Sequence, residues 1–190
     1  MNIFRLINKI EKSIINNSLL KISSNIVSFF KNSDYGFYIF FNEEIRESKF
    51  PSIYLVSYEN SKILQERLKY ENILSAGIYF GFIKKGVFYL SLEGIEFLRD
   101  MQLIADSNQI TINEEGEKSI LYGNDILKSF IIKAPQELKE NDLIAVLNQN
   151  NEIIALAVSK IDFCLFDKLK SNQNIAKNLM DKGYYLRKKQ

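Results

Sequence analysis

The sequence predicts an α+β protein in two parts: an N-terminal α/β domain with an antiparallel sheet over residues 1–117, and a small, mostly β domain over residues 118–190. Three observations predict it. Isoleucines recur at helical spacing near the start, and aromatic and β-branched runs bounded by Asn, Glu, Gly and Pro follow them. The charge also changes sign along the chain: residues 1–117 hold 13 Lys and Arg against 15 Asp and Glu, whereas residues 118–190 hold 12 against 8. The change falls in NEEGEKS, residues 113–119, a polar stretch with Gly116 that reads as a linker.

Taken in order, Ile3, Ile7, Ile10 and Ile14 mark an amphipathic helix over residues 2–15. Asn16, Asn17 and Ser18 end it and cap a second helix that carries Leu19, Ile22, Ile26 and Phe30. YGFYIFF (35–41) and SIYLVSY (52–58) have strand composition, and residues 60–71 read as a charged helix. GIYFGFIKKGVFYLSL (77–92) reads as a hairpin turning at Lys85-Gly86. Residues 93–105 read as a further helix with Ile95, Leu98 and Leu103 on one side. Alternating Tyr and Phe in such strands build a core more often than a stacking platform, with Tyr79 and Tyr89 the positions open to either role.

In the last third, LIAVL (143–147) and IIALAVS (153–159) flank NQNNE, a turn-rich link suited to a hairpin. These runs are apolar nearly throughout, so both faces should be covered, as in a small closed or nearly closed sheet. FCLF (163–166) and IAKNLM (175–180) add two further strand-like segments. In SILYGNDILKS (119–129), Gly123 supplies a permissive turn, and Asn124 or Asp125 is placed to cap a helix beginning near Ile126.

Composition excludes several chemistries. The chain has no His, which rules out Ser-His and Cys-His nucleophile pairs and His-ligated metals. Its single cysteine, Cys164, cannot form an intramolecular disulfide and suits a reducing interior, the cytoplasm or, where the cell has one, the nucleus. Apolar runs fall short of the roughly 20 residues of a spanning helix, and Lys9, Glu11, Lys12 and Lys21 break any leader-like pattern, so no membrane association is expected. The paired carboxylates Glu43-Glu44 and Glu114-Glu115 read as solvated turns.

ILYGNDILKS, a following hydrophobic strand, KENDLIAVLNQNNEIIALAVSK and the closing NLMDKGYYLRK together resemble the PUA domain, named for pseudouridine synthases and archaeosine transglycosylases. The LYGNDILKS phrase resembles more narrowly the Nip-seven family of ribosome-biogenesis proteins of archaea and eukaryotes. SAGIYFGFIKKGVFYLSLEGIEFL resembles the same family's first domain. The resemblance covers residues 119–187 and 74–105. It implies a β-barrel-like PUA domain behind an α/β domain, and a non-catalytic protein without cofactors. It further implies binding of RNA, pre-rRNA in single-stranded or uridine-rich regions, during large-subunit assembly. Two positions depart from the pattern. Phe130 stands where a glycine commonly follows the helix, and Ala155-Leu156-Ala157 has no glycine. Phe130 is either a core residue or a ring on which a base could stack.

The resemblance places the RNA-binding surface on Lys128, Ser129, Lys133, Lys177, Lys182 and Arg187, with Tyr185 as a stacking ring. Arg187 is favoured for its bidentate fork. Two other readings stand beside this one. The first is a protein-interaction adaptor of the ribosome-assembly or exosome machinery, with weak RNA affinity. The second is an RNA-modifying enzyme, for which Gly77 and Gly81 lack the phosphate-loop pattern. The chain is expected to be a monomer.

Overall fold

A computed structural model describes residues 2–42 and 50–187, apart from the side chains of Asn2, Asn42, Tyr185 and Leu186. Glu43 and Glu44 lie outside the described residues. The fold divides after Leu103 into two units.

The first unit opens with β1 (Asn2–Leu6) and α1 (Lys9–Leu20), not with one helix over residues 2–15. The isoleucine stripe is misleading. Phe4, Ile15 and Leu19 are the buried positions here, while Ile10 is 73% exposed. Asn8 starts the helix through a capping box: its side chain accepts the N–H groups of Ile10 and Glu11, and the Glu11 carboxylate accepts that of Asn8 at 2.7 Å. Asn16, Asn17 and Ser18 therefore sit inside α1. Ser18 is accommodated there by donating to the Ile14 carbonyl and accepting the Phe88 N–H. Ser23 caps α2 (Ser24–Asn32).

β2 (Tyr35–Asn42), β3 (Ser52–Ser57), α3 (Tyr58–Arg67), β4 (Ile78–Lys84), β5 (Val87–Leu90) and α4 (Leu92–Asp100) follow. The expected strands and the turn at Lys85-Gly86 are all present, and both turn residues have positive φ, 50° and 74°. α4 stops at Asp100, so Leu103 lies beyond it. The five strands form an antiparallel sheet in the order β1-β2-β3-β4-β5. One face packs Phe30, Phe37, Phe80 and Phe97 ring on ring. The other buries Phe4, Tyr38, Phe40 and Val56 with Leu64 of α3, where the Tyr38 hydroxyl meets Ser61 at 2.6 Å.

The second unit comprises β6 (Gln109–Ile112), α5 (Glu114–Leu121), β7 (Ile126–Leu127), a 3-10 turn at Lys128–Phe130, β8 (Ile131–Lys133), β9 (Leu143–Leu147), β10 (Ile153–Ser159), a 3-10 helix at Phe163–Lys168, β11 (Asn174–Asp181) and α6 (Tyr184–Arg187). Four expectations change here. NEEGEKS is no linker: Asn113 caps α5 by accepting the Gly116 N–H, and Glu114 and Glu115 occupy the helix's first turn. No helix begins near Ile126; the helix lies before the LYGND cluster, which ends it. FCLF is a 3-10 helix rather than a strand, because its three-residue spacing stacks Phe163 on Phe166 at 5.6 Å. The division falls after Leu103 rather than after residue 117, since β6 pairs with β8 and β9.

That last change alters the charge reading. Residues 104–190 hold 12 Lys and Arg against 12 Asp and Glu, because Asp106, Glu114, Glu115 and Glu117 belong with them. The second unit is electrically neutral as a whole.

Its six strands run in the order β7-β11-β10-β9-β6-β8, antiparallel except for β6 beside β9. The two edge strands, β7 and β8, are neighbours in sequence. One short segment thus bends across the open side and nearly closes the sheet into a barrel. Inside lie Ile110, Ile112, Ile144, Val146, Ala155 and Ala157, and the alternate residues Ala145, Leu147 and Leu156 on the other face are buried as well. Phe130 belongs to this core at 4% exposure. A Cβ on Gly116 would lie 2.5 Å from the Phe130 Cβ, so the glycine that allows this contact sits in α5.

Candidate nucleic-acid interface

α5 runs out at Leu121, and Gly123, with φ of 91°, reverses the chain behind it. The next two residues fasten this corner to β11. Asp125 accepts the backbone N–H of Asn178 at 3.0 Å, the Asn174 amide at 2.9 Å and the Lys160 ammonium at 2.8 Å. Burial works to raise the Asp125 carboxyl, and the bonds from Lys160, Asn174 and Asn178 outweigh it, leaving the group below its usual range. The Asn178 amide in turn donates to the carbonyls of Ile120 and Asn124 and to Asp181. The LYGND cluster therefore bolts α5, β7 and β11 together.

The expected RNA-binding residues divide into several kinds. Lys177 projects from the middle of β11 and is exposed. Lys182 is exposed just past the strand, and Ser129 is exposed at the 3-10 turn, its N–H bonded to the Ser171 carbonyl. Lys128 lies on the same seam, yet its ammonium is engaged by the Leu169 and Asp167 carbonyls at 2.8 and 3.2 Å and stands 5.1 Å from the Phe166 ring centre. It ties down the end of the neighbouring 3-10 helix. Lys133 is exposed but belongs to β8, opposite Thr111 of β6, and so lies on the other edge pair. The side chain of Tyr185 is outside the described residues.

Arg187 was the favoured phosphate ligand, and its fork is already occupied. Its two terminal nitrogens each meet the buried Asp181 carboxylate at 2.9 Å, and it also donates to the Leu121 carbonyl. A Cβ on Gly123 would lie 3.2 Å from Arg187 Nη2, so the guanidinium lies close over the glycine. The bidentate geometry that suits phosphate is used here to fix α6 to the corner.

Sequence reasoning missed two features of this seam. Tyr122 is 78% exposed at the end of α5, a ring without cover, and Tyr184 is 42% exposed. Lys168 and Lys170 are exposed next to the carbonyls that hold Lys128. The signal for Tyr122 was its position just before a helix-ending glycine, where a side chain points past the last turn. Among the described residues, no three His, Cys, Asp or Glu side chains are grouped to hold a metal, and no helix is long and apolar enough to cross a membrane.

Comparison with known proteins agrees with this architecture. The UPF0113 PUA domain family matches residues 108–190. A UPF0113 protein of Archaeoglobus fulgidus is 27% identical over 90% of this chain and 92% of its own length. The 60S ribosome subunit biogenesis protein nip7 of Schizosaccharomyces pombe is 24% identical over 71% of this chain and 73% of its own. Among solved structures, a conserved PUA domain protein from Thermoplasma acidophilum superposes with a TM-score of 0.62, at 16% identity, over 98% of this chain and 99% of that one. A protein from Pyrococcus horikoshii OT3 gives 0.61 at 14% identity, over 94% of both chains. Residues 108–190 thus match the UPF0113 PUA domain family, and the chain that carries them is similar along most of its length to an archaeal UPF0113 protein.

Proposed function

We propose that this chain is a non-catalytic RNA-binding protein of large-subunit ribosome assembly, which holds unpaired pre-rRNA on the seam between α5, β7 and β11. The observation that carries the reading is the PUA-domain match over residues 108–190, in a chain similar to a protein named for 60S ribosome subunit biogenesis.

The geometry gives that reading a mechanism. Lys177, Lys182 and Lys170 neutralise phosphates and release counterions, the Ser129 hydroxyl adds a hydrogen bond, and Tyr122 offers a ring face to an unpaired base. Lys128 and Arg187 shape the seam instead of gripping the ligand. With Lys133 on the other edge pair, few phosphates are engaged, and binding should be modest and salt-sensitive.

Anisotropy of a labelled uridine-rich oligonucleotide across a salt series tests this. Two or three neutralised phosphates give a slope of log affinity against log salt of about −1.4 to −2 on single strands. A flat dependence, or affinity untouched in a Tyr122→Ala, Lys177→Ala double variant, overturns the proposal. Ribosomal RNA incubated with the protein should keep its nucleosides unmodified by mass spectrometry.

The neutrality of residues 104–190 favours a second reading, a protein-interaction adaptor with weak affinity for RNA. That reading predicts co-purification with assembly or exosome proteins that survives ribonuclease treatment.

A further inference from the structure

The aromatic residues left between core and platform roles in the first unit are not all in its core. Phe82 of β4 and Tyr89 of β5 are cross-strand partners, and their rings lie 5.2 Å apart at an interplanar angle of only 10°. Phe50 extends the stack on the far side of Phe82, at 5.9 Å and 27°. Near-parallel pairs also occur inside the core, Phe80 with Phe88 at 15° and Phe30 with Phe97 at 17°, so what sets this row apart is its exposed end rather than its angle. A bulge at Phe80, where the β3–β4 register shifts, reverses the alternation of β4, so Phe80, Phe88 and Leu90 point into that core while the Phe82–Tyr89 pair, with Phe50 stacked on it, stands on the opposite face.

The two ends of the row differ. Lys84 covers the Phe50 end, its ammonium 4.7 Å from the ring centre. The other end is Tyr89, on β5, which among the described residues is the edge strand of the sheet. Tyr89 is 40% exposed and its same-face neighbour Val87 is 42% exposed. Lys84 and Lys85 are exposed at the tight turn beside the row. Among the described residues, the rungs and the turn carry no carboxylate. Glu93, which adds to burial in raising the Tyr54 phenol, sits by the Tyr54–Tyr79 pair at the end of β4 away from the turn. The chain's net charge also lies in this unit: residues 1–103 hold 13 Lys and Arg against 11 Asp and Glu.

We propose that this edge is a second RNA contact, in which an unpaired base stacks on the open face of Tyr89 and Lys84 and Lys85 take the flanking phosphates. A row of near-parallel rings ending in a free face is what a nucleobase continues. Adjacent lysines without carboxylates supply the charge its backbone needs. The contact does not depend on how residues 104–190 act.

The experiment uses the full chain and a uridine dodecamer carrying 4-thiouridine. The oligonucleotide is photocrosslinked and the sites mapped by mass spectrometry, with affinities measured in parallel for Tyr89→Leu, Tyr89→Phe and a Lys84→Ala, Lys85→Ala double variant. Crosslinks are expected at Tyr89 or Phe82. Tyr89→Leu keeps the apolar cover without the π-face, and should weaken binding about five- to tenfold at an unchanged melting temperature. Tyr89→Phe should bind as the parent does. Crosslinks confined to residues 104–190, with full affinity in Tyr89→Leu, overturn this contact and leave the PUA-domain reading standing. Absence of crosslinks anywhere overturns both.

Discussion

The carboxylate of Asp125 accepts the backbone N–H of Asn178 at 3.0 Å, fastening a turn to a strand 53 residues further along. Together with the bonds from Asn174 and Lys160, it makes one side chain the junction of β7, β10's exit and β11.

Asp125→Ala should therefore destabilise the second unit, leaving two partly buried donors unpaired at a cost of about 1–3 kcal/mol. Chemical denaturation checks this. The pH dependence has a definite sign. The folded Asp125 carboxyl lies below its ordinary value of 3.8, so its contribution is present above that value and is lost as pH falls through the lowered folded value. Glu11, lowered first by its bond from Arg5, acts in the same direction in the first unit. Between pH 5 and 3 the parent should lose more stability than Asp125→Asn, and the difference isolates Asp125.

Arg187→Ala should lower the thermal midpoint, because the buried Asp181 loses its bidentate partner. Adding Asp181→Asn to that variant should recover part of the loss. An Arg187→Ala protein that melts like the parent but binds RNA far more weakly would show instead that the fork turns to phosphate.

Gly116→Ala should destabilise by about 1–3 kcal/mol, since the new methyl group meets the Phe130 side chain. Phe130→Ala alone should cost about 3–5 kcal/mol as a core truncation. Combining the two should be clearly non-additive, with the alanine at 116 now filling space, and a double-mutant cycle measures the coupling.

Lys177→Ala should reduce the steepness of the salt dependence by about 0.7 for one lost phosphate contact on a single strand, with the fold intact. Lys128→Ala should behave otherwise. Its salt slope should stay near the parent's, while amide exchange speeds up over residues 163–169, where its ammonium holds two carbonyls.

Local pattern was informative where an element's signal and its tertiary surroundings agreed. β2, β3, the Lys85-Gly86 hairpin, β9, β10 and β11 all stand where composition and turn chemistry put them. The first strand was hidden because Ile3, Ile7, Ile10 and Ile14 imitate a helix stripe, and pairing with β2 overrode that period. The helix expected near Ile126 was misplaced because Asn113 and Asn124 are both good caps on sequence grounds. Only the Asn113 side chain meets free amides of a first turn, while Asn124 follows a helix end.

The sequence by itself determined the long central strands of the barrel, β9, β10 and β11, and that the last third of the chain resembles a PUA domain. Those properties reside in local alternation, turn residues and a contiguous motif. Only the tertiary structure decided which charges remain for a ligand. Arg187 and Lys128 looked like the others in one dimension, but a carboxylate from β11 and two carbonyls at the end of a 3-10 helix reach them in space. Partners brought together across 6 to 41 residues are set by packing, and no window of sequence encodes which cation they will claim.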